Sequence, residues 1–139
     1  MSEQAQRTFV ILKPDAVRRG LVGEIVRRFE DRGLRIVAME LRTIDGAVAD
    51  QHYAEHVERD FYPPLREFVT SGPLVAMVLE GDSAIEAVRA MNGATDGRKA
   101  APGTIRGDYS LSNRENLVHG SDSWESAERE IDIWFPDLG

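Results

Sequence analysis

The sequence contains no cysteine. Disulfides, thiolate nucleophiles and Cys-based metal sites are therefore excluded, and a reducing compartment fits. No apolar run approaches membrane-spanning length, and the polar start Met1-Ser2-Glu3-Gln4-Ala5-Gln6-Arg7 has no signal-type hydrophobic segment. The expected location is cytoplasmic, with no membrane partner. Positive charge is short as well: 17 Lys+Arg stand against 24 Asp+Glu, for a net charge of -7. That balance argues against broad nucleic-acid binding, so any phosphate recognition has to be local. Lysine is the scarcest cation, occurring only at Lys13 and Lys99. Lys13 ends an apolar strand and stands out there, although a strand-end lysine reaching for water is the plain alternative. Neither G-x-x-x-x-G-K-[ST] nor G-x-G-x-x-G is present. A phosphate site here must be built from side chains.

The 139 residues, 42% of them hydrophobic, are enough for one domain, 1–139, with its own core. Thr8 to Leu12 is a β-rich apolar run stopped at Lys13-Pro14-Asp15, and Gly20 to Gly33 carries Leu21, Ile25, Val26 and Phe29 at helical spacing. A strand follows over Leu34 to Arg42, with Val37, Met39 and Leu41 on one half-buried face. Asp45 can cap a helix through Val48 to His56, and Pro63-Pro64 can open another through Val69. Leu74 to Leu79 has the unbroken apolar character of a central strand. Ser83 to Glu86 has capping-box spacing before a helix that Asn92-Gly93 stops. Ala94 to Tyr109 has no periodicity and is expected to be a long loop. Trp124, Ala127, Ile131 and Trp134 form a helical stripe that ends at Pro136. This order gives two βαβ-like halves. It predicts an α+β fold: a ferredoxin-like four-stranded antiparallel sheet (β-α-β-β-α-β core) with helices on one face and an added helical hairpin. A doubly wound parallel sheet fits the same order.

Chemistry concentrates in Asn116-Leu117-Val118-His119-Gly120-Ser121-Asp122-Ser123. His119 follows two apolar residues and precedes turn residues, which places it where a short strand gives way to a helix. Asp122 to Glu125 has capping-box spacing, and Glu130 lies further along that helix, able to fold back toward the corner. An imidazole held by a carboxylate on one nitrogen has its tautomer fixed and its other nitrogen made more nucleophilic. A capped turn with an incidental histidine has the same spacing. Arg89, Thr95 and Arg106 offer two guanidinium forks and a hydroxyl near that corner; each alone suits a solvated surface. His52 and His56 stand at i, i+4 but lack the H-E-x-x-H pattern and a third ligand, so no metal site is assigned. Tyr53 and Phe61 are an aromatic pair able to line a cleft or to fill a core.

Lys13-Pro14-Asp15, His52 to His56, Ser71-Gly72-Pro73, Pro102 to Asp108 and Asn116 to Ser123, taken in order, resemble the successive motifs of the nucleoside diphosphate kinases. The resemblance covers nearly the whole chain. It implies a ferredoxin-like αβ sandwich that moves the γ-phosphate of a nucleoside triphosphate, mainly ATP, to nucleoside diphosphates. The route is ping-pong, through a pros-phosphohistidine at His119. Glu130 and Ser121 would orient the imidazole; Lys13 and Asn116 would reach the sugar hydroxyls and nearby phosphate oxygens. Tyr53, Arg89, Thr95 and Arg106 would line the phosphate path, and Phe61 would stack on the base. The implied cofactor is Mg2+ carried by the nucleotide, with no protein metal ligands. The implied assembly is a homo-oligomer, a hexamer or a tetramer. Asn113 stands where the family often has an apolar residue beside the base, and Asp60 and Gly97 replace frequent prolines. Two other functions fit the same cleft: a regulatory nucleotide-binding module, which would need no nucleophile, and single-strand nucleic-acid binding, which the charge disfavours.

Overall fold

The computed structural model describes residues 5–138, so the expectation for the polar start at 1–4 lies outside the described residues. Four strands form one sheet: β1 (Ala5–Leu12), β2 (Arg35–Arg42), β3 (Leu74–Asp82) and β4 (Val118–Gly120), in the order β2-β3-β1-β4. Every neighbouring pair is antiparallel, which settles the choice against a doubly wound sheet. The helices are α1 (Pro14–Arg18), α2 (Val22–Asp31), α3 (Gly46–His52), α4 (Tyr62–Val69), α5 (Ala84–Asn92), α6 (Ile105–Tyr109) and α7 (Trp124–Trp134).

Successive residues of β1 point to opposite faces, and both faces are buried. Val10 and Leu12 pack with Ile25 and Phe29 of α2 and with Ala84 and Val88 of α5. Phe9 and Ile11 pack with Ala49 of α3, Phe68 of α4 and Trp134 of α7. Helices therefore cover both faces, not one. The crossover helices α2 and α5 take the ferredoxin-like face, while the added hairpin α3–α4 and α7 take the other, which explains why β1 and β3 read as unbroken apolar runs.

Several local expectations are corrected. On β2 a bulge between Ile36 and Ala38 breaks the alternation. Val37 packs with the hairpin-side core, whereas Met39 and Leu41 are 51% and 64% exposed. Pro14, expected only to stop β1, also opens α1 at its first position, where the missing N–H costs nothing. The supposed loop 94–109 contains α6, capped by Thr104 Oγ1, which accepts from Gly107 N at 2.9 Å. Ser83 stands at the N-cap of α5 in the left-handed region, with φ of 51° rather than the extended backbone usual for a capping side chain, and makes no cap bond; Gln6 Oε1 accepts from Ile85 N instead, at 2.9 Å. The cap of α7 is Ser123, accepting from Ser126 N, one residue later than Asp122 to Glu125 implies. Trp124 falls outside the buried stripe and is 55% exposed. Gly97, in place of a proline, donates its N–H to Ser112 O at 3.0 Å, a bond proline lacks. A Cβ there would also press on Ser110 O.

Candidate active site

The short strand β4 carries His119 opposite Ile11 of the central strand. Just before it the chain makes a γ-turn: Leu117 has φ of 74°, and Val118 N donates to Asn116 O at 2.8 Å across it. Such a turn is strained for leucine and persists only where its surroundings over-determine it. Here they do. Leu117 N donates to Asp15 Oδ2 at 3.2 Å, and Leu117 O accepts from Lys13 N at 2.8 Å. The Lys13-Pro14-Asp15 corner and the histidine strand are thus one unit, separated by a hundred residues of sequence. Burial raises the Asp15 carboxyl, an effect opposed by Lys13 and by backbone N–H donors.

His119 Nε2 lies 3.0 Å from Glu130 Oε1. The same oxygen accepts from Ser121 Oγ at 2.7 Å, and Ser121 Oγ in turn accepts from Phe9 N at 3.2 Å. A carboxylate can only accept, so Nε2 carries a proton, and in the neutral imidazole the lone pair resides on Nδ1. Nδ1 has no hydrogen-bond partner among the described residues. Glu130 is buried on the inner side of α7, a helix that Ser123 caps and that packs through Trp134 and Ile131 against Phe9 and Ile11 of β1.

A cavity of about 380 Å³ opens beside His119, lined also by Lys13, Tyr53, Arg89, Thr95, Arg106 and Asn116. Lys13 Nζ donates to Asn116 Oδ1 at 2.9 Å, while Asn116 Nδ2 donates to Thr95 O and Asn113 O at 2.9 and 3.0 Å. Burial, aided by the nearby Arg106 and opposed by Asp15, lowers the Lys13 ammonium to about 8. Arg106 is buried and spends its guanidinium on three backbone carbonyls: Asn116 at 3.2 Å, Gly93 at 2.8 Å and Val118 at 2.6 Å. Burial first, and Arg89 second, bring it down to about 10. Arg89 is exposed at the rim, with Nη1 3.4 Å from Asp122 O. The Tyr53 hydroxyl is buried without a partner among the described residues, and burial pushes its ionisation upward.

Not every expected residue shares this cavity. Ser121 follows the end of β4, behind Glu130, and is fully buried. Phe61 is 46% exposed and lines an adjoining hollow of about 630 Å³ with Leu111 and Asn113; the two hollows meet at Lys13, Thr95 and Asn116. Sequence spacing passed over His52, whose ring meets that of His119 edge-on with centroids 4.7 Å apart. Its i, i+4 relation to His56 is incidental. Arg129 was also missed: it donates to Gln51 O and His52 O at 3.0 and 3.2 Å, tying α7 to the end of α3 beside the cavity. Nothing in its local sequence marks it.

A neutral ring nitrogen with a free lone pair, facing a hollow bordered by Lys13, Arg89 and Arg106, suits an anionic electrophile. The comparisons point the same way. Residues 6–138 match the family model described as nucleoside diphosphate kinase. The nucleoside diphosphate kinase of a Nocardioides species is 78% identical over 132 residues, covering 95% of this chain and 98% of that one. That of Cutibacterium acnes is 63% identical over 138 residues, 99% of each chain. Among solved structures, the halophilic nucleoside diphosphate kinase of Halobacterium salinarum, in complex with CDP, superposes with a TM-score of 0.93 at 51% identity, covering 95% of this chain and 88% of that one. A family protein from Babesia bovis gives 0.92 at 42% identity, covering 96% and 90%. The chain belongs to the nucleoside diphosphate kinase family, enzymes that transfer phosphate between nucleotides.

Proposed function

We propose that the 139 residues act as one domain and that transfer runs through His119 in two steps. The Nδ1 lone pair attacks the γ-phosphorus of a nucleoside triphosphate; the bond from that phosphorus to the β-phosphate oxygen breaks, and the diphosphate departs with those electrons. A terminal oxygen of a second nucleoside diphosphate then attacks that phosphorus in line; the N–P bond breaks, its electron pair returns to Nδ1, and a new nucleoside triphosphate leaves neutral His119 behind. The observation that carries this reading is the division of labour on the imidazole, with Nε2–H held by Glu130 and Nδ1 left free toward the cationic cavity. Ser121 holds Glu130, and Glu130 steadies the charge that develops on the ring. Lys13, Arg89 and Arg106 face the charge on the transferring group, and Tyr53 and Thr95 offer hydroxyls along the path. Lys13 and Asn116, already paired, are placed to meet sugar hydroxyls between the two hollows; Phe61 offers a flat face to the base.

Magnesium enters as part of the substrate, bound to nucleotide phosphates. The buried carboxylate of the cavity, Glu130, is already engaged by Ser121 and His119, and much of the remaining lining consists of nitrogen donors. The nucleotide partners are tri- and diphosphates, the location is cytoplasmic, and the assembly is a homo-oligomer. Its size is a hexamer, with a tetramer as the alternative. The free edge of β2, with Met39 and Leu41 exposed, supports self-association.

Two results are expected from steady-state kinetics. With MgATP and a panel of diphosphates, double-reciprocal plots should be parallel. Specificity constants should spread over only about two orders of magnitude across purines and pyrimidines, stacking being worth roughly 1–3 kcal/mol per base. Intersecting plots or strict preference for one base would overturn the reading. The second result concerns pH. Lys13 is protonated below about 8 and neutral above it in the free protein, so kcat/KM should fall as pH rises through that value. A bound phosphate returns the proton, and the kcat profile should stay flatter. Lys13→Arg should move the alkaline limb of kcat/KM upward; an unmoved limb contradicts the assignment. The same shift gives stability a sign. Between about 8 and 10.5 the folded chain holds fewer protons on Lys13 than the unfolded one, so this group makes stability rise with pH across that window.

A further inference from the structure

His52, His119 and Glu130 have the composition of a zinc centre, and one ligand-type atom from each lies within 4.8 Å of the others. Two imidazoles and a carboxylate form a known catalytic zinc set, with Zn–N bonds of about 2.0–2.1 Å. Small side-chain shifts would close such a set around an ion. A metal held there would take the His119 lone pair out of use.

We propose that the indole N–H of Trp134 withholds His52 from metal by occupying its single lone pair, and so keeps His119 free of bound cations. The idea rests on the reading of His119 given above. A neutral imidazole has one acceptor nitrogen, and an indole N–H can only donate. Trp134 Nε1 donates to His52 Nδ1 at 3.1 Å. The His52 lone pair is therefore on Nδ1 and used, and its Nε2 carries the proton. Whichever nitrogen a metal approached, it would have to displace the indole or strip a proton.

Neither partner has room to turn away. Trp134 is 2% exposed, with its ring 5.2 Å from that of Phe9, and its carbonyl accepts from Arg42 Nη2 at 2.8 Å. The Arg42 guanidinium also lies over the indole, 5.4 Å from its centroid. Breaking the bond would leave a buried donor without an acceptor. The His52 ring stands edge-on to Tyr53, 4.6 Å away, and to His119, 4.7 Å away; a flip of that ring would turn carbon Cδ2 toward the indole N–H and lose the bond to Trp134. Glu130 Oε1 is shared by Ser121 and His119. Of the two imidazole lone pairs, only that on His119 Nδ1 remains, and a single imidazole is a poor site for a transition ion.

The test compares the full chain with Trp134→Phe and with Trp134→Phe/His52→Gln. Phenylalanine keeps an aromatic ring against Phe9 but removes the donor. Co2+ titration followed by visible absorption should give tetrahedral bands for Trp134→Phe alone. Zn2+ should half-inhibit that variant at a concentration at least about 10-fold lower than the wild type, relative to each protein's own zinc-free rate, because a second imidazole lone pair is then free to bind the ion. The double variant should return to wild-type sensitivity. Equal cobalt spectra and equal zinc sensitivity in wild type and Trp134→Phe would overturn the proposal, as would a double variant that stays sensitive. Should Trp134→Phe fail to fold, ¹⁵N NMR of the wild-type histidines decides: His52 must show an unprotonated Nδ1 and a protonated Nε2, and the reverse refutes it. Cobalt spectra and tautomers are read without turnover, so their outcome is separable from that of the His119 mechanism.

Discussion

His119→Ala should lower phosphate transfer between nucleotides by at least about 10⁴-fold, the scale seen when a covalent nucleophile is removed and binding groups remain. Lys13, Arg89, Arg106 and Phe61 stay in place in this variant, so nucleotide binding should survive. The loss belongs in kcat. His119 is part of a three-residue strand at the sheet edge and is only partly buried, and alanine leaves the Glu130–Ser121 bond intact. Circular dichroism and melting should therefore change little. Substantial transfer by this variant, or a loss traceable to unfolding, would contradict the role given to the imidazole.

Arg106→Ala should cost about 10²–10³-fold in turnover, the range for removing a preorganised group that stabilises transition-state charge. It should also destabilise the fold. Arg106 holds the carbonyls of Gly93, Asn116 and Val118, joining the end of α5 to both sides of the Leu117 turn. Each carbonyl left buried and unpaired costs about 1–3 kcal/mol, less where water enters. The expected measurement is a lower melting temperature together with lower kcat. Phe61→Ala should behave differently, raising KM with little change in stability, because Phe61 is nearly half exposed and outside the hydrogen-bond frame. Equal kinetic losses for the two variants, or an Arg106 variant of unchanged stability, would sink this separation of roles.

The contrast between these two residues shows what could be read from the chain alone. Apolar runs marked β1 and β3 and helical spacing marked α2, because each buries a continuous face. The motifs brought Lys13, Arg106, Asn116 and His119 to notice by residue type and order. What they could not show is that Arg106 is a framework pin, since its partners are backbone carbonyls, which leave no mark in side-chain composition. His52 escaped for a related reason: the contacts that tie it to the site, with Trp134, Phe9 and His119, are each remote in sequence. The missed helix α6 hides among Gly, Pro and Arg because one cap, Thr104, and one buried residue pair, Ile105 and Arg106, suffice for so short an element. The faces of β2 went astray through a single bulged residue, since in a strand a shift of one exchanges inside for outside.

The central claim is that phosphate rests covalently on His119 between two nucleotides. Incubating the protein with γ-labelled MgATP, removing nucleotide and mapping the label tests it most directly. The expected product is one acid-labile, alkali-stable phosphoramidate on Nδ1 of His119, discharged completely by a second nucleoside diphosphate and absent from His119→Ala. Label that survives acid on Ser121 or Ser123, or a protein that transfers phosphate while never becoming labelled, would contradict it.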